Sequence, residues 1–304
     1  MAAESGTPLV GLVVHHERAE AARLARQTVE WLAAVHRLVR VPADDARATG
    51  IDERYGVDPS RFVGEEGQGS ELDVVVSLGG DGTMLRTVRL LGGSLVPIIG
   101  VNLGHLGYLA EIEPQQLHTV VDAVLSGDYG YEDRMLLDVK ATGSPPAGGT
   151  KGGQIRRALA LNEAVLERKS SGHTVRLEVD LAGQSFTTYE ADALIVSTPT
   201  GSTAYAFSAR GPIIEPAHCA VLITPVSPHM LFDRSLVLDP ATGIRVTVTG
   251  HRPAILTVDG QGVAELDPGS VVELSASENV ARLVRYSPSH FHSILKAKFG
   301  LNDR

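Results

Sequence analysis

Cysteine occurs once in the 304 residues, as Cys219, tryptophan occurs once, and aromatic residues together make up only 5%. A single thiol excludes an internal disulfide and a cysteine-built metal site, and a buried structural thiol is its expected role. Positive charge is in deficit, with 27 Lys and Arg against 36 Asp and Glu and a net charge of −9. A general nucleic-acid binder needs a basic face, so this balance argues against one, while leaving room for a local basic pocket for a phosphorylated small molecule. Long apolar runs are missing too. The most apolar stretch, residues 95–110, is broken by Pro97, several glycines, Asn102 and His105, and is too short and interrupted to span a bilayer. Met1 to Pro8 shows no basic start followed by an apolar core, so no signal peptide and no membrane partner are expected, and the expected location is cytoplasmic.

What is present describes an ordinary globular chain, 43% hydrophobic and 21% charged, long enough for two domains. Its focus is the stretch from Leu72 to Arg86. Valine-rich Leu72–Leu78 reads as a buried parallel strand. Met84, Leu85, Val88 and Leu91 follow at helical spacing. Between them stand Gly79, Gly80, Asp81, Gly82 and Thr83. A strand that turns through glycines into a helix presents backbone N–H groups at the helix start, where phosphate binds, and glycine lets the phosphate approach the backbone. Asp81 is the odd member, because a carboxylate repels polyphosphate; it points to a metal ligand or a proton acceptor. Taken alone, the loop fits a tight turn with an Asp cap equally well.

In order, the chain predicts a strand at Leu9–Val14 and a helix over Glu17–Val35, with Leu24, Thr28, Trp31, Leu32 and Val35 on one face. A strand at Arg37–Val41 follows, then mostly loop with one short helix over Ala43–Ser70. After the central strand and helix, closed by Gly92-Gly93, come a strand at Val96–Val101 and a loop from Asn102 to Leu109. A helix over Pro114–Ser126 ends the first part. This order implies a parallel sheet with helices on its faces, whose ligands bind at the carboxyl ends of the strands. Beyond Gly127 the pattern becomes short alternating strands, at Thr174–Leu181, Ser185–Tyr189, Ala193–Ser197, Ala220–Thr224, Ile244–Thr249, Ala254–Val258 and Val271–Leu274. That predicts a mainly β sandwich. Gly143–Gly153 reads as a flexible hairpin tip and Pro288–Phe299 as a helix that packs back on the first domain. The expected division is therefore an α/β domain of 1–127 with about 286–304, and a β-rich domain of 128–285.

Three further constellations carry polar chemistry. Asn162-Glu163 lies in the apolar run Ala158–Leu166, where two polar groups cost energy unless hydrogen-bonded, although such a pair also fits an ordinary strand edge. Asp192 precedes a buried strand and the run Ser197-Thr198-Pro199-Thr200-Gly201-Ser202-Thr203-Ala204-Tyr205-Ala206-Phe207-Ser208. Its hydroxyls predict a dense polar wall, with helix capping at Ser202 or Thr203 as the alternative. His229, in Ser227-Pro228-His229, reads as a surface or otherwise satisfied histidine.

Together, Gly79-Gly80-Asp81-Gly82-Thr83, Asn102-Leu103-Gly104-X-Leu106-Gly107, Asn162-Glu163, Ser197 to Tyr205 and Asp259-Gly260-Gln261 resemble the ordered signatures of bacterial NAD kinases, through essentially the whole chain. The first loop alone is shared with diacylglycerol kinases, sphingosine kinases and phosphofructokinases; Ser197 to Tyr205 is far more specific. The resemblance implies an α/β N-terminal domain of phosphofructokinase or diacylglycerol-kinase type, a β-rich C-terminal domain, a site between them, and homodimers or homotetramers. It implies phosphoryl transfer from ATP or polyphosphate, with Mg²⁺ or another divalent cation, to the 2′-hydroxyl of the adenosine ribose of NAD. Asp81 would accept the hydroxyl proton. Gly79, Gly80, Gly82, Thr83 and Arg86 would hold donor phosphates. NAD would meet Asp81, Gly82, Asn162, Glu163, His173, Asp192, Thr203, Ala204, Tyr205, Ser208 and Gln261. The resemblance leaves the metal ligands unassigned. The chain departs from the family pattern at Ala193 and Arg210, where glycine is usual, at Glu190, often basic, and at Ser235, often proline. Alternative readings are a paralogue with another nucleoside-like acceptor, a lipid kinase, which would need an apolar acceptor groove, and a non-catalytic NAD sensor, which would have no use for Asp81.

Overall fold

The computed structural model describes residues 7–62, 71–104, 107–143, 155–286 and 291–301. In chain order it forms β1 (Leu9–Val14), α1 (Ala19–Ala34), β2 (Leu38–Pro42), α2 (Ala43–Thr49), β3 (Gly56–Val57), β4 (Val74–Gly79), α3 (Asp81–Leu91), β5 (Ile98–Asn102) and α4 (Leu117–Ser126). Then follow β6 (Gly130–Thr142), β7 (Ile155–Ala160), β8 (Glu163–Arg168), β9 (Val175–Leu181), β10 (Gln184–Ala191), β11 (Ala193–Ser197), the short α5 (Tyr205–Ser208), β12 (Val221–Val226), β13 (Leu236–Leu238), β14 (Ile244–Thr249), β15 (Ala254–Val258), β16 (Gln261–Leu266), β17 (Val271–Arg285) and α6 (Phe291–Phe299). Two compact units result, Met1–Asp133 with Val280–Arg304, and Arg134–Asn279. The chain crosses from one to the other within β6 and again within β17.

The first unit is α/β. Its strands run β3-β2-β1-β4-β5, all parallel, and Leu283 near the end of β17 pairs in parallel with Ile98. Every residue of β1 and β4 is buried, as expected of strands covered on both faces. The connections leave β1 in one direction toward β2 and β3, then return to β4 on its other side. The order therefore reverses between β1 and β4, and at such a switch point the carboxyl ends of the strands part to leave a ligand crevice. Those ends are Val14 and Gly79.

The predicted face of α1 is rotated in the structure. Ala21, Ala25, Thr28, Val29 and Leu32 are buried, while Val35 is 44% exposed. Small alanines let the helix approach the sheet closely, and Trp31, partly buried at the margin of that face, stacks on His118 of α4 at 3.9 Å. α3 ends as expected, with Gly92 in the left-handed conformation at φ +55, a geometry that favours glycine.

The second unit is mainly β. One sheet runs β13-β12-β11-β8-β15-β16, antiparallel throughout. The other contains β10-β9-β14 and the first part of β17, antiparallel, with β6 beside β17 and β7 antiparallel to β6. Inward residues of both sheets share one core, including Val175, Leu177, Val179, Leu194, Val196, Val246 and Leu256, which is a sandwich. β6, β7, β8, β13 and β16 were not predicted, and β17 runs far past the predicted Leu274. The apolar alternation lapses at Ser275–Asn279, and pairing with β6 carries the strand on. Thr142 pairs with Ile155; the predicted hairpin tip at Gly143–Gly153 lies almost wholly outside the described residues. Cys219 is exposed, which corrects the expected buried thiol: it sits in the turn before β12, not within it. Among the described residues no helix is long and apolar enough to cross a membrane.

Candidate active site

In the first unit Gly80 caps α3, and Asp81 is its first residue. A Cβ on Gly79 would lie 2.1 Å from Thr83 Oγ1, so only glycine fits there; Cβ atoms on Gly80 and Gly82 would meet nothing within 4 Å. The first glycine lets the loop close, and the other two leave open space over the helix N-terminus, where anions are favoured. The second glycine-rich loop comes to the same place. Tyr108 N–H donates to Asp81 Oδ2 at 2.9 Å and Leu109 N–H to Oδ1 at 3.1 Å. A Cβ on Gly107 would stand 2.1 Å from Oδ1. Asp81 is thus clasped by two backbone donors, half-buried, with lone pairs left over for a third partner.

Arg86 occupies the first turns of α3, but its guanidinium is forked onto Asp45 of α2, with Nη1 2.9 Å from Oδ2 and Nη2 paired to Oδ1. Asp45 is fully buried and also accepts from Val14 N–H at 2.8 Å and pairs with His16 Nε2 at 2.7 Å. The carboxyl end of β1, α2 and α3 are therefore tied at one carboxylate. Sequence reasoning missed Asp45, which holds the cation foreseen for phosphates.

In the second unit Asn162 forms the bend between β7 and β8. Its shape is imposed from a turn about 100 residues away. Asp259, at φ +46, accepts N–H bonds from Leu161 (2.8 Å), Asn162 (2.8 Å) and Glu163 (3.0 Å). The hydroxyl run locks onto the same bend: Thr198 N–H donates to the Asn162 carbonyl at 2.9 Å and Thr198 Oγ1 to the Leu161 carbonyl at 2.5 Å. Thr198 Oγ1 then accepts from Gly201 N–H, and Ser202 Oγ bonds both N–H and C=O of Ile214. Buried Arg134 donates to Thr200 Oγ1 at 3.2 Å. The predicted polar wall is thus largely a structural knot: Ser197, Thr198, Thr200 and Ser202 are buried, and Thr203 Oγ1 donates back to the Thr200 carbonyl.

The Tyr205 N–H lies close enough to the Glu163 carboxylate to pull its pKa down, so Asn162, Glu163, Ala204, Tyr205 and Asp259 gather at one place. Asp192 pairs with Arg168 at 3.0 Å, close enough to act on the Tyr205 phenol, which burial, Glu167 and Asp192 push up. Gln261 opens β16 opposite Val258, itself paired with Ala164, so it lies one strand away from the Glu163 end of β8. His173 and Ser208 are exposed; no described contact joins His173 to this cluster.

Burial, then the neighbouring Asp259 carboxylate, push Glu163 from 4.5 up to about 7, against the pull of the Tyr205 N–H. Its buried Oε2 has no hydrogen-bond partner. A carboxyl whose pKa rises on folding stabilises the fold below its unfolded value, and that contribution is lost as pH rises through 4.5 to about 7. Glu163→Gln, neutral at every pH, is expected to flatten this slope and to raise stability at pH 8 by roughly 1–3 kcal/mol. Urea midpoints of both proteins at pH 5 and pH 8 check it; equal pH slopes would contradict it.

The departures from the family pattern have local accounts. Ala193 sits in ordinary strand geometry and packs with Val165, Ile195, Ala206 and Leu222. Ser235 Oγ bonds Thr224 Oγ1 at 3.0 Å, and Glu190 accepts from Thr174 Oγ1 at 3.0 Å. Exposed His229, as expected a surface residue, donates its N–H to the Glu190 carbonyl. Arg210 holds a left-handed backbone at φ +66, strained for any residue but glycine. Arg210→Gly is expected to stabilise by about 0.5 kcal/mol, the strain relieved outweighing the freedom gained by the unfolded chain. Arg210→Ala, keeping its Cβ, should show no such gain in the same denaturant titration.

Two sequence models match the chain: the ATP-NAD kinase N-terminal domain over residues 10–129 and the ATP-NAD kinase C-terminal domain over residues 161–286. The chain belongs to the ATP-NAD kinase family. It is accordingly a phosphotransferase. Among its relatives, the NAD kinase of Heliobacterium modesticaldum is 36% identical over 292 residues, covering 96% of this chain and 98% of that one. The NAD kinase of Thermobifida fusca is 37% identical over 305 residues, covering 99% and 92%. In fold the kinase is similar to yeast NADH kinase complexed with NADH, at TM-score 0.84 and 24% identity, covering 99% of this chain and 90% of that one. It is also similar to an NAD kinase from Archaeoglobus fulgidus in complex with ATP, at TM-score 0.67 and 21% identity, covering 97% and 98%.

Proposed function

We propose that, in the ATP-dependent phosphorylation of NAD that defines its family, the kinase uses Asp81 as general base toward the 2′-hydroxyl of the adenosine ribose. The clasp on Asp81 carries this reading. Two N–H donors and the start of α3 fix the carboxylate in place at the switch point, and spare lone pairs remain to receive a proton. The ribose oxygen bonds to the terminal phosphorus, the bond from that phosphorus to the ADP oxygen breaks, and the hydroxyl proton passes to Asp81.

The donor phosphates are assigned to the backbone around Gly79, Gly80, Gly82 and Thr83, where the open space above Gly80 and Gly82 fits an anion. Arg86, forked onto Asp45, ties α3 to α2 and to the end of β1 beside that loop, and its remaining positive charge is assigned to the donor phosphates. A divalent cation, when bound, supplies charge neutralisation of the phosphates. Mg²⁺ is commonly held by phosphates and water with one or two carboxylates, which fits a site built mainly on the donor's own phosphates. Polyphosphate offers the same anionic oxygens and is proposed as a second donor.

The nucleoside is assigned to the other unit: Asn162 and Glu163, stiffened by Asp259, with Ala204, Tyr205, Asp192 and Thr203, and with Ser208, Gln261 and His173 at its margin. The kinase is proposed to work in the cytoplasm as a homodimer or homotetramer. Exposed Leu231 and the edge-to-face pair Phe186–Phe232 are apolar surface available for self-association. Steady-state assays with NAD and Mg²⁺ and with ATP or polyphosphate as donor test the reading. NADP formation that disappears on loss of the Asp81 carboxylate supports it, and NADP formation that survives that loss contradicts it.

A further inference from the structure

We propose that the C-terminal helix α6 is part of the catalytic machinery, Phe291 and Lys298 being positioning residues that seat Tyr108 and through it Asp81. The inference rests on the reading of Asp81 as the base. Phe291 opens α6, and its ring lies 6.3 Å from that of Tyr108, tilted by 43°. Lys298, seven residues on, places Nζ 4.3 Å from the Tyr108 ring centroid, within the range of a cation–π contact. Seven residues are two helical turns, so both side chains project from one face of α6 onto one ring. The backbone N–H of that same tyrosine is one of the two donors on Asp81, at 2.9 Å. Holding the ring from two sides limits the freedom of the Tyr108 backbone, and so steadies the amide that meets the carboxylate.

Two further observations fit this. A Cβ on Gly107 would collide with Asp81, so the loop already lies against the carboxylate and a small shift is felt there directly. α6 buries no residue completely, so it is held by partial contacts, of which the grip on Tyr108 is one. Such a lightly held element can be altered without unfolding the sheet.

The test uses the full chain. Phe291→Ala/Lys298→Ala is expected to lose about 10-fold in kcat, because small misplacement of a catalytic group is costly. The KM values for NAD and ATP and the thermal midpoint should stay near wild type. Lys298→Ala alone should lose about 3-fold and Lys298→Arg, which retains the cation over the ring, should be restored to near wild-type kcat. If the double variant is depleted by unfolding, the single variant and its arginine counterpart are read by the same criteria. Unchanged kcat, or a loss that follows the thermal midpoint and is not rescued by arginine, overturns the proposal. Asp81→Asn, run alongside, separates the two ideas: if it is inactive while the α6 variants are normal, only the role of α6 fails; if it remains active, the base assignment fails and this proposal with it.

Discussion

Asp81→Asn is expected to lower kcat by about 10²- to 10⁴-fold, the range for removing a positioned general base, while KM for NAD changes little. Asparagine keeps the shape and one acceptor. It accepts the N–H of Tyr108 or of Leu109, but its amide nitrogen then faces the other donor, and it has no charge with which to take a proton. The mismatched donor gives a modest stability loss of about 1–2 kcal/mol. The two effects are separable by measuring turnover and denaturant midpoint on the same preparations. A purely structural Asp81 would show the second without the first. A kcat within about 3-fold of wild type, far below the loss of a general base, would remove Asp81 from the chemistry.

Gly201→Ala is expected to be among the most destabilising single substitutions in the second unit, at roughly 2–4 kcal/mol. The added Cβ would lie 2.1 Å from the Asn162 carbonyl oxygen, 2.5 Å from its carbon and 2.8 Å from its Cα. All three are backbone atoms, and that oxygen already accepts from Thr198. The bend cannot retreat, because Asp259 holds its N–H groups from the other side. Relief must come by breaking the Thr198 rung or the Asp259 clamp, so NAD affinity should fall with stability. Gly80→Ala is the control, since its Cβ meets nothing within 4 Å and its φ of −126 suits alanine. It should fold as wild type and lose activity through the methyl placed in the phosphate space. Equal stability losses for the two alanines would show that the contact at Asn162 is not what forbids a side chain.

What the sequence made legible follows from local chemistry. β11, β14 and β15 were placed residue for residue, because each is a short apolar or alternating run between turn signals. The turn into α3 was legible because three glycines and a following helical period leave few alternatives. What stayed hidden depends on residues remote in sequence. Nothing near Asn162 announces Asp259, nothing near Arg86 announces the buried Asp45, and nothing in Asn102–Leu109 shows that two of its N–H groups will close on Asp81. The hydroxyl run was recognised as unusual, but the sequence does not divide its inward-facing members from the rest. Its composition suggests a ligand surface, whereas Thr198 and Ser202 are occupied by backbone partners at 2.5–3.2 Å. A hydroxyl satisfies a buried carbonyl as readily as a substrate oxygen, and composition alone does not say which is offered.

The position of the transferred phosphate tests the central claim most directly. Wild-type kinase incubated with NAD, ATP and Mg²⁺ should give one phosphorylated dinucleotide, whose phosphorus resonance couples to the 2′ proton of the adenosine ribose, and Asp81→Asn should give almost none. Phosphate on any other hydroxyl, or the same 2′-product from the asparagine variant at an undiminished rate, would contradict the assignment of Asp81 to that hydroxyl.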